Sequence, residues 1–421
     1  IEVTLFPQGL AIDPITVDAE NQAPIDTTRT VVGGTLTSLE IETLPIPSRS
    51  ALDLLFTLPG ITEEPLSTRD LAEDRNTNAA SSPEEVGTFA LAGGPAYSNN
   101  LTIDGLDNND DRAARERFQP SLEAVEEVQV ITNQFAAEYG RASGGRINIK
   151  TRGGAQEFRG RVFFFFKDEA LNANTFRNNS LGLKRLPLQE HNPGFTISGP
   201  LIFPRLHSRR TFFFTSYELT KVLDNALIDT LVPVSSNPRF PLPRPTTLQG
   251  LRIEDAGSTS ISAEVAPFIS PIPTPLRNQI FTTRIDHQFN ETHNGTWLYQ
   301  LGRLNNLRQF GGGNRLAETI QAKTRNSDAV SYSDNFVFSA RTINQARLHW
   351  ARLTPGIKAL GGNTPVVLIT LNDPLPASDP GHHSGTLVAG SSTTGATDRR
   401  EARFQIQNGN RQRKTRFSEQ K

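Results

Sequence analysis

The segment FRGRVFFFFK, residues 158–167, constrains the chain more than any other stretch. Phe158, Gly160, Val162, Phe164 and Phe166 fall on one side, Arg159, Arg161 and Lys167 on the other, with Phe163 and Phe165 between. A period of two is the signature of a β-strand with one apolar face. The pattern recurs. TFFFTSYEL aligns Phe213, Thr215, Tyr217 and Leu219, and FTTRIDHQF sets Phe281, Ile285 and Phe289 opposite Arg284, Asp286 and Gln288. TWLYQLG aligns Trp297, Tyr299 and Leu301, and DNFVFSA with NQARLHWAR forms a further pair. The junctions at 290–294 and 339–342 are tight, whereas others, such as 233–275, are long and rich in Pro, Gly or Asn. Tight turns on one side and long loops on the other are the layout of an outer-membrane barrel. A soluble β-rich domain would show the same single strands. The 25 phenylalanines and the asymmetry of the turns favour the barrel.

Composition agrees. A chain of 421 residues exceeds one ordinary core, so two or more domains are expected. A net charge of −1 lacks the basic surplus of a nucleic-acid binder, so no nucleic-acid partner is expected. The absence of cysteine removes disulfides, thiol catalysis and cysteine-held metals, and suits an oxidising envelope compartment. The chain lacks methionine and begins at Ile1, as a processed or partial chain would. Hydrophobic residues make up only 36%, and no run of about 18 apolar residues predicts a membrane-spanning helix. Barrel strands need only one apolar face, so neither figure argues against them.

Upstream of residue 154 the texture differs. Residues 1–8 read as one strand, and residues 9–47, polar and rich in Thr and Pro, as mostly a flexible linker. Order is expected from Ser48. Ala51, Leu54, Leu55 and Leu58 have helical spacing, Ser48 or Ser50 can cap the start, and Pro59-Gly60 stops it. GTFALAGG, NNLTIDGL, Val128-Gln129-Val130 and GRINIKT read as strands, with Ile147 and Ile149 on one face of the last. Residues 48–153 thus predict a small domain of helices and strands.

Motifs for chemistry fail on inspection. Ile149 precedes Lys150-Thr151 where a phosphate loop needs glycine. The glycine spacing around Ser143 is wrong for a nucleophile elbow. Asp104, Asp107, Asp110 and Asp111 could bind calcium, but the EF-hand glycine is missing and an Asx-rich turn is the better reading. His382-His383 has no third ligand in view. No catalytic residues, metal or cofactor are therefore assigned, and the chain does not read as an enzyme.

ALDLLFTLPGI, NNLTIDGLDNND, LEAVEEVQVITNQFAAEYGRASGGRINIKTRGG and FRGRVFFFFKDEALNANTF together resemble a TonB-dependent outer-membrane receptor, most of all its Oar-like subgroup. The resemblance covers about residues 48–217, thins through 233–275, and returns at RIDHQFNETHNGTWLYQ. It implies an α+β plug domain at 48–153, followed over 154–421 by antiparallel transmembrane strands forming the N-terminal portion of a β-barrel. Residues 1–8 would end a preceding carboxypeptidase-regulatory-like β-sandwich. Residues 9–47 would hold a TonB-box-like segment, Ile15, Thr16, Val17 and Asp18. About seven strands are countable, with RFQIQNG starting an eighth, against about 22 in such barrels, so roughly a third of the set is expected. Irregular structure is expected after about Thr354. Phe164 and Phe166 should face lipid and Arg159 and Arg161 the plug, so Phe163→Arg should be milder than Phe164→Arg.

The implied function is a receptor that binds a nutrient, peptide or protein ligand at the surface of a Gram-negative type envelope. It would import that ligand with energy relayed by TonB and its inner-membrane complex. Plug-loop residues expected to face the ligand are Tyr97, Asn99, Asn100, Asp107, Asn108, Arg112 and Arg115. An outer-membrane structural or adhesion protein without transport is the alternative, and either way outer-membrane lipid is a partner.

Overall fold

A computed structural model describes residues 32–44, 49–63, 89–94, 98–111, 116–133, 140, 142–180, 182–201, 210–233, 265–307, 313–339, 342–360, 365–370, 375–376, 378–379, 382–383, 385–391 and 396–412. Its N-terminal part is built on a five-stranded sheet. The strands are β1 (Val32–Leu36), β4 (Asn99–Ile103), β5 (Leu106–Asp107), β6 (Val125–Asn133) and β7 (Gly145–Thr151). They lie in the order β1-β6-β7-β4-β5, and only β4 and β7 run parallel. A separate pair, β2 (Ile61–Glu63) and β3 (Phe89–Leu91), and the helix α1 (Ser38–Thr43) complete the layer. Alternation decides the faces. Val128 and Val130 of β6 and Ile147 and Ile149 of β7 enter a core with Leu36, Ile41, Leu54, Leu55, Leu91 and Leu101. The helix expected around Leu54 differs from the sequence reading only in its winding: Asp53–Thr57 is 3-10 rather than α-helical, and Leu122–Ala124 is a second 3-10 turn.

The linker expected over 9–47 needs correction at its C-terminal end, because β1 and α1 are ordered parts of this layer. β1 adds to the edge of β6, pairing Leu36 with Val128 and Gly33 with Ile131. Its two glycines hid the alternation. The capping box of α1, in which Thr37 and Glu40 each accept from the other's backbone N–H, was present in the sequence as Thr-x-x-Glu.

The remainder is an antiparallel wall. Its strands are β8 (Arg159–Asp168), β9 (Leu188–Pro200), β10 (Thr211–Pro233), β12 (Leu276–Asn290), β13 (His293–Asn306), β14 (Gln321–Ser339), β15 (Thr342–Ala359) and β19 (Glu401–Gln412). Each pairs with the next, so the described wall has eight consecutive strands and is not closed. At one rim two residues separate β12 from β13 and β14 from β15, while the connections at the other rim are long. The parity is the expected one. Val162, Phe164, Phe166, Trp297, Leu348, Trp350 and Phe404 are exposed on the outer face. Phe163, Phe214, Glu218 and Leu298 are buried on the inner face, against the N-terminal layer. Phe163 is buried because its ring covers Gly194 on the facing strand, where a Cβ would lie 2.3 Å from the ring.

The expectation of irregular structure after Thr354 fails. β15 runs on to Ala359, and β16 (Val366–Thr370), β17 (Thr386–Gly390), β18 (Thr397–Asp398) and β19 follow. β10 outruns the wall, and its far half pairs with β11 (Val265–Pro273). Gly313 bridges to Ile228 of β10, and Arg315 bridges to Val388 of β17. A small head sheet, β11-β10-(313–316)-β17-β16, therefore stands beyond the long-loop rim, with its own core of Ile228, Phe268, Leu316 and Leu387.

Candidate functional site

The N-terminal layer meets the inner face of the wall through three polar clusters and one cavity. The first is centred on Arg49. Its guanidinium binds Glu218 of β10 at 3.0 Å and Glu123 at 3.3 Å, and lies over the rings of Phe165 (4.1 Å) and Phe163 (4.9 Å). Arg161 of β8 closes the group on Glu123 at 2.9 Å, and the Ser121 hydroxyl donates to Glu218. Only residues with a polar tip and an apolar stem can satisfy this mixed site.

The second cluster sits where the chain passes from layer to wall. Asp104, in the turn between β4 and β5, accepts from Thr151 N at 2.9 Å and Thr151 Oγ1 at 2.6 Å. Arg284 of β12 donates to Thr151 O at 2.9 Å and to Asp286 at 3.0 Å. Asp286 in turn accepts from Gly154 N at 3.3 Å. Gly154 rests on Phe212, where an added Cβ would stand 2.5 Å from the Phe212 Cβ. Burial pushes the Asp104 carboxyl above its ordinary range, and the nearby Arg284 and the Thr151 bonds only partly oppose that.

The third cluster binds the loop after β5 to the end of the wall. Arg117 pairs with Asp111 at 2.9 Å and Glu401 at 3.3 Å, Arg399 with Glu401 at 2.8 Å, and Arg403 with Asp107 and with Asp111 at 3.3 Å. Among the described residues, no group of three His, Asp or Glu is spaced to hold a metal ion. The Asp-rich stretch is held by arginines and by its own amides: Asn109 closes on Leu101 through both its carbonyl and its NH₂.

These bonds relocate several expected ligand-facing residues. Asn99 is buried and donates to Phe89 O at 2.7 Å. Asn108 is buried and pairs with Phe118 through both ends of its amide. Neither faces an open surface, because each supplies backbone partners that the short strands leave over. Asp107 is turned to Arg403. Asn100 reaches Gly140 O at 3.1 Å on the exposed side. Tyr97, Arg112 and Arg115 lie outside the described residues, as do Ile15, Thr16, Val17 and Asp18. Arg49, Glu218, Glu401 and Arg403 were not anticipated. Strand parity marks Glu218 and Arg403 as inward, but nothing in the sequence names their partners.

Between the outer side of the five-stranded sheet and strands β13, β14, β15 and β19 lies a polar cavity of 840 Å³. Gln129, Arg146, Asn148 and Lys150 line it from the sheet, and Ser331, Ser333 and Arg347 from the wall.

Known proteins were compared with this arrangement. A family model described as an outer membrane beta barrel domain matches residues 150–239, the passage into the wall and its first three strands. The TonB-dependent transporter Oar of Myxococcus xanthus is 30% identical over 146 residues, covering 33% of this chain and 14% of Oar. The outer membrane transporter YddB of Escherichia coli superposes with a TM-score of 0.56 at 11% identity, over 89% of this chain and 45% of YddB. The siderophore receptor PirA of Acinetobacter baumannii gives 0.49 at 16% identity, over 89% and 44%. The chain spans less than half the length of each of these relatives. The antiparallel wall has the fold of an outer-membrane transporter barrel, and over 146 residues the sequence match to Oar adds descent to likeness. Over the matched residues the chain is a homologue of the TonB-dependent transporter Oar, and its place is the outer membrane.

Proposed function

We propose that the protein binds a nutrient at the cell surface and imports it with energy relayed by TonB. The observation that carries this reading is the layer of residues 32–151 packed against the inner face of the wall through three polar clusters and an open polar cavity. A barrel obstructed in this way blocks free diffusion, so passage requires the obstruction to move. The ion pairs and the open polar cavity limit the apolar area exposed on separation, at about 25 cal/mol per Å², to contacts such as that of Leu298. In this reading the layer is the plug, 154–421 belong to the barrel, and Ile15 to Asp18 pair with TonB by strand addition, using main-chain hydrogen bonds. The protein makes and breaks no covalent bond. Ligand is met at the long-loop rim, where the head sheet stands.

Strand addition needs backbone donors, which proline lacks. Thr16→Pro or Val17→Pro in the full-length receptor should abolish energised uptake and leave surface binding intact. Normal uptake by both variants would defeat the assignment of this segment, and unaltered uptake of every nutrient in a deletion strain would defeat the transporter itself.

A further inference from the structure

We propose that the cavity between sheet and wall is an anion-binding passage centred on Arg347, and that the cargo passing through it carries carboxylate or phosphate groups. The statement about cargo rests on the transporter reading above. The statement about the cavity does not.

The charges lining the cavity are unequal. Among the described residues that line it, Arg146, Lys150, Arg284 and Arg347 face one carboxylate, Asp104. Two of the cations are held on their own side: Lys150 by Glu126 at 3.4 Å and Arg284 by Asp286 at 3.0 Å. Arg347 is different. No side-chain hydrogen bond or ion pair among the described residues involves its guanidinium. It is half-buried on the inner face of β15, in register with Ser333 on one neighbour and Gln407 on the other. Thr296 extends the row on β13. The row is thus one guanidinium among hydroxyl and amide groups, all lining the same cavity.

The opposite side leaves room for it. Gly105, at φ +79°, presents a bare Cα to Arg347, and a Cβ there would stand 2.6 Å from Nη1. The turn therefore lets the guanidinium lie across it without supplying an acceptor. Asp104 in the same turn is committed to Thr151, and its burial favours the neutral form. A half-buried arginine without a partner has a planar fork of donors open to a carboxylate or phosphate. A cleft lined mostly by one sign of charge also concentrates ions of the other.

The chain contains no cysteine, so Ser333→Cys places a thiol directly across from Arg347. In a full-length receptor carrying it as the single thiol, labelling rates are compared for the anionic sulfonatoethyl and the cationic trimethylammonioethyl methanethiosulfonates. Each rate is normalised to the urea-unfolded protein. A unit charge about 7 Å away in a water-like dielectric changes each rate about threefold and their ratio about sevenfold. The folded receptor should favour the anionic reagent, and Arg347→Gln should lower the ratio by about that factor. Inorganic phosphate or succinate should slow labelling of the parent and not of Arg347→Gln, and the better protector tells which group is preferred. A ratio unmoved by Arg347→Gln, a preference for the cationic reagent, or no protection by either probe overturns the proposal. Labelling needs neither TonB nor energy. A receptor that keeps the ratio and imports nothing defeats the transporter reading alone, and one that imports without the ratio defeats the anion passage alone.

Discussion

Removing the Arg49 side chain is the sharpest probe of how the layer is held to the wall. Its partners Glu218 and Glu123 have side chains only 5% and 8% exposed. Arg161 remains on Glu123, and the Ser121 hydroxyl alone remains on Glu218. Arg49→Ala therefore leaves a buried carboxylate uncompensated, at a cost of about 3–5 kcal/mol. The cation–π contacts with Phe163 and Phe165 add roughly 0.5–1 kcal/mol. One term runs the other way. Arg49 sits at φ 54°, a left-handed conformation that costs a non-glycine residue about 1 kcal/mol or more. Arg49→Gly should thus be less harmful than Arg49→Ala by about fivefold in equilibrium constant. Hydrogen exchange in full-length receptor reads both. The Leu55 and Leu58 amides, bonded within the turn that follows Arg49, should lose about two to four orders of magnitude of protection in Arg49→Ala. Adding Glu218→Gln should return most of it, because the orphaned charge is gone. Unchanged protection in Arg49→Ala would show that the cluster does not hold the layer. Equal loss in the alanine and glycine variants would refute the strain argument.

Two further outcomes follow from burial. The carboxyl of Asp104 is raised, so the folded state binds its proton more tightly and stability falls as pH rises above the ordinary carboxyl range; Asp104→Asn should flatten that slope in pH-dependent unfolding of the receptor, and an unchanged slope would place the titration elsewhere. Phe164, 60% exposed on the outer face, should tolerate arginine at a cost of roughly 2–4 kcal/mol, read as a lower level of assembled, heat-modifiable receptor; Phe163→Arg, at 7% exposure beneath Arg49, should be at least as severe, and a milder effect there would mean that its ring does not face the layer.

That second comparison reverses the order drawn from the sequence, and the reason is instructive. Alternation placed Phe163 and Phe164 on opposite faces correctly. It could not say that the inner face at Phe163 is closed by Gly194 and Arg49 rather than by water. Strand direction and parity are local properties, so the wall from Phe163 to Trp350 was legible. Partner identity is not local. Arg49 and Glu218 lie 169 positions apart, and the Asp111 backbone N–H donates to the Glu401 carboxylate across 290. The same limit misplaced Asn99 and Asn108. Polar residues between short strands look available to a ligand, until the backbone groups they must satisfy are known. β1 was lost for a simpler reason, since an edge strand with two glycines has little pattern of its own.

The passage at Gly154 carries a geometric consequence. Seven residues, 152–158, separate Thr151 at the end of β7 from Arg159 at the start of β8. Fully extended, that leash reaches about 28 Å. β7 is an inner strand of its sheet, and β1 lies two places away at the edge. While the sheet stays folded, its β7 end cannot travel beyond the leash, and the β1 end is free to swing farther. Any gap opened by displacing the layer is therefore lopsided: wide beneath β1, narrow beneath β7, and widest on the side from which the N-terminal segment departs.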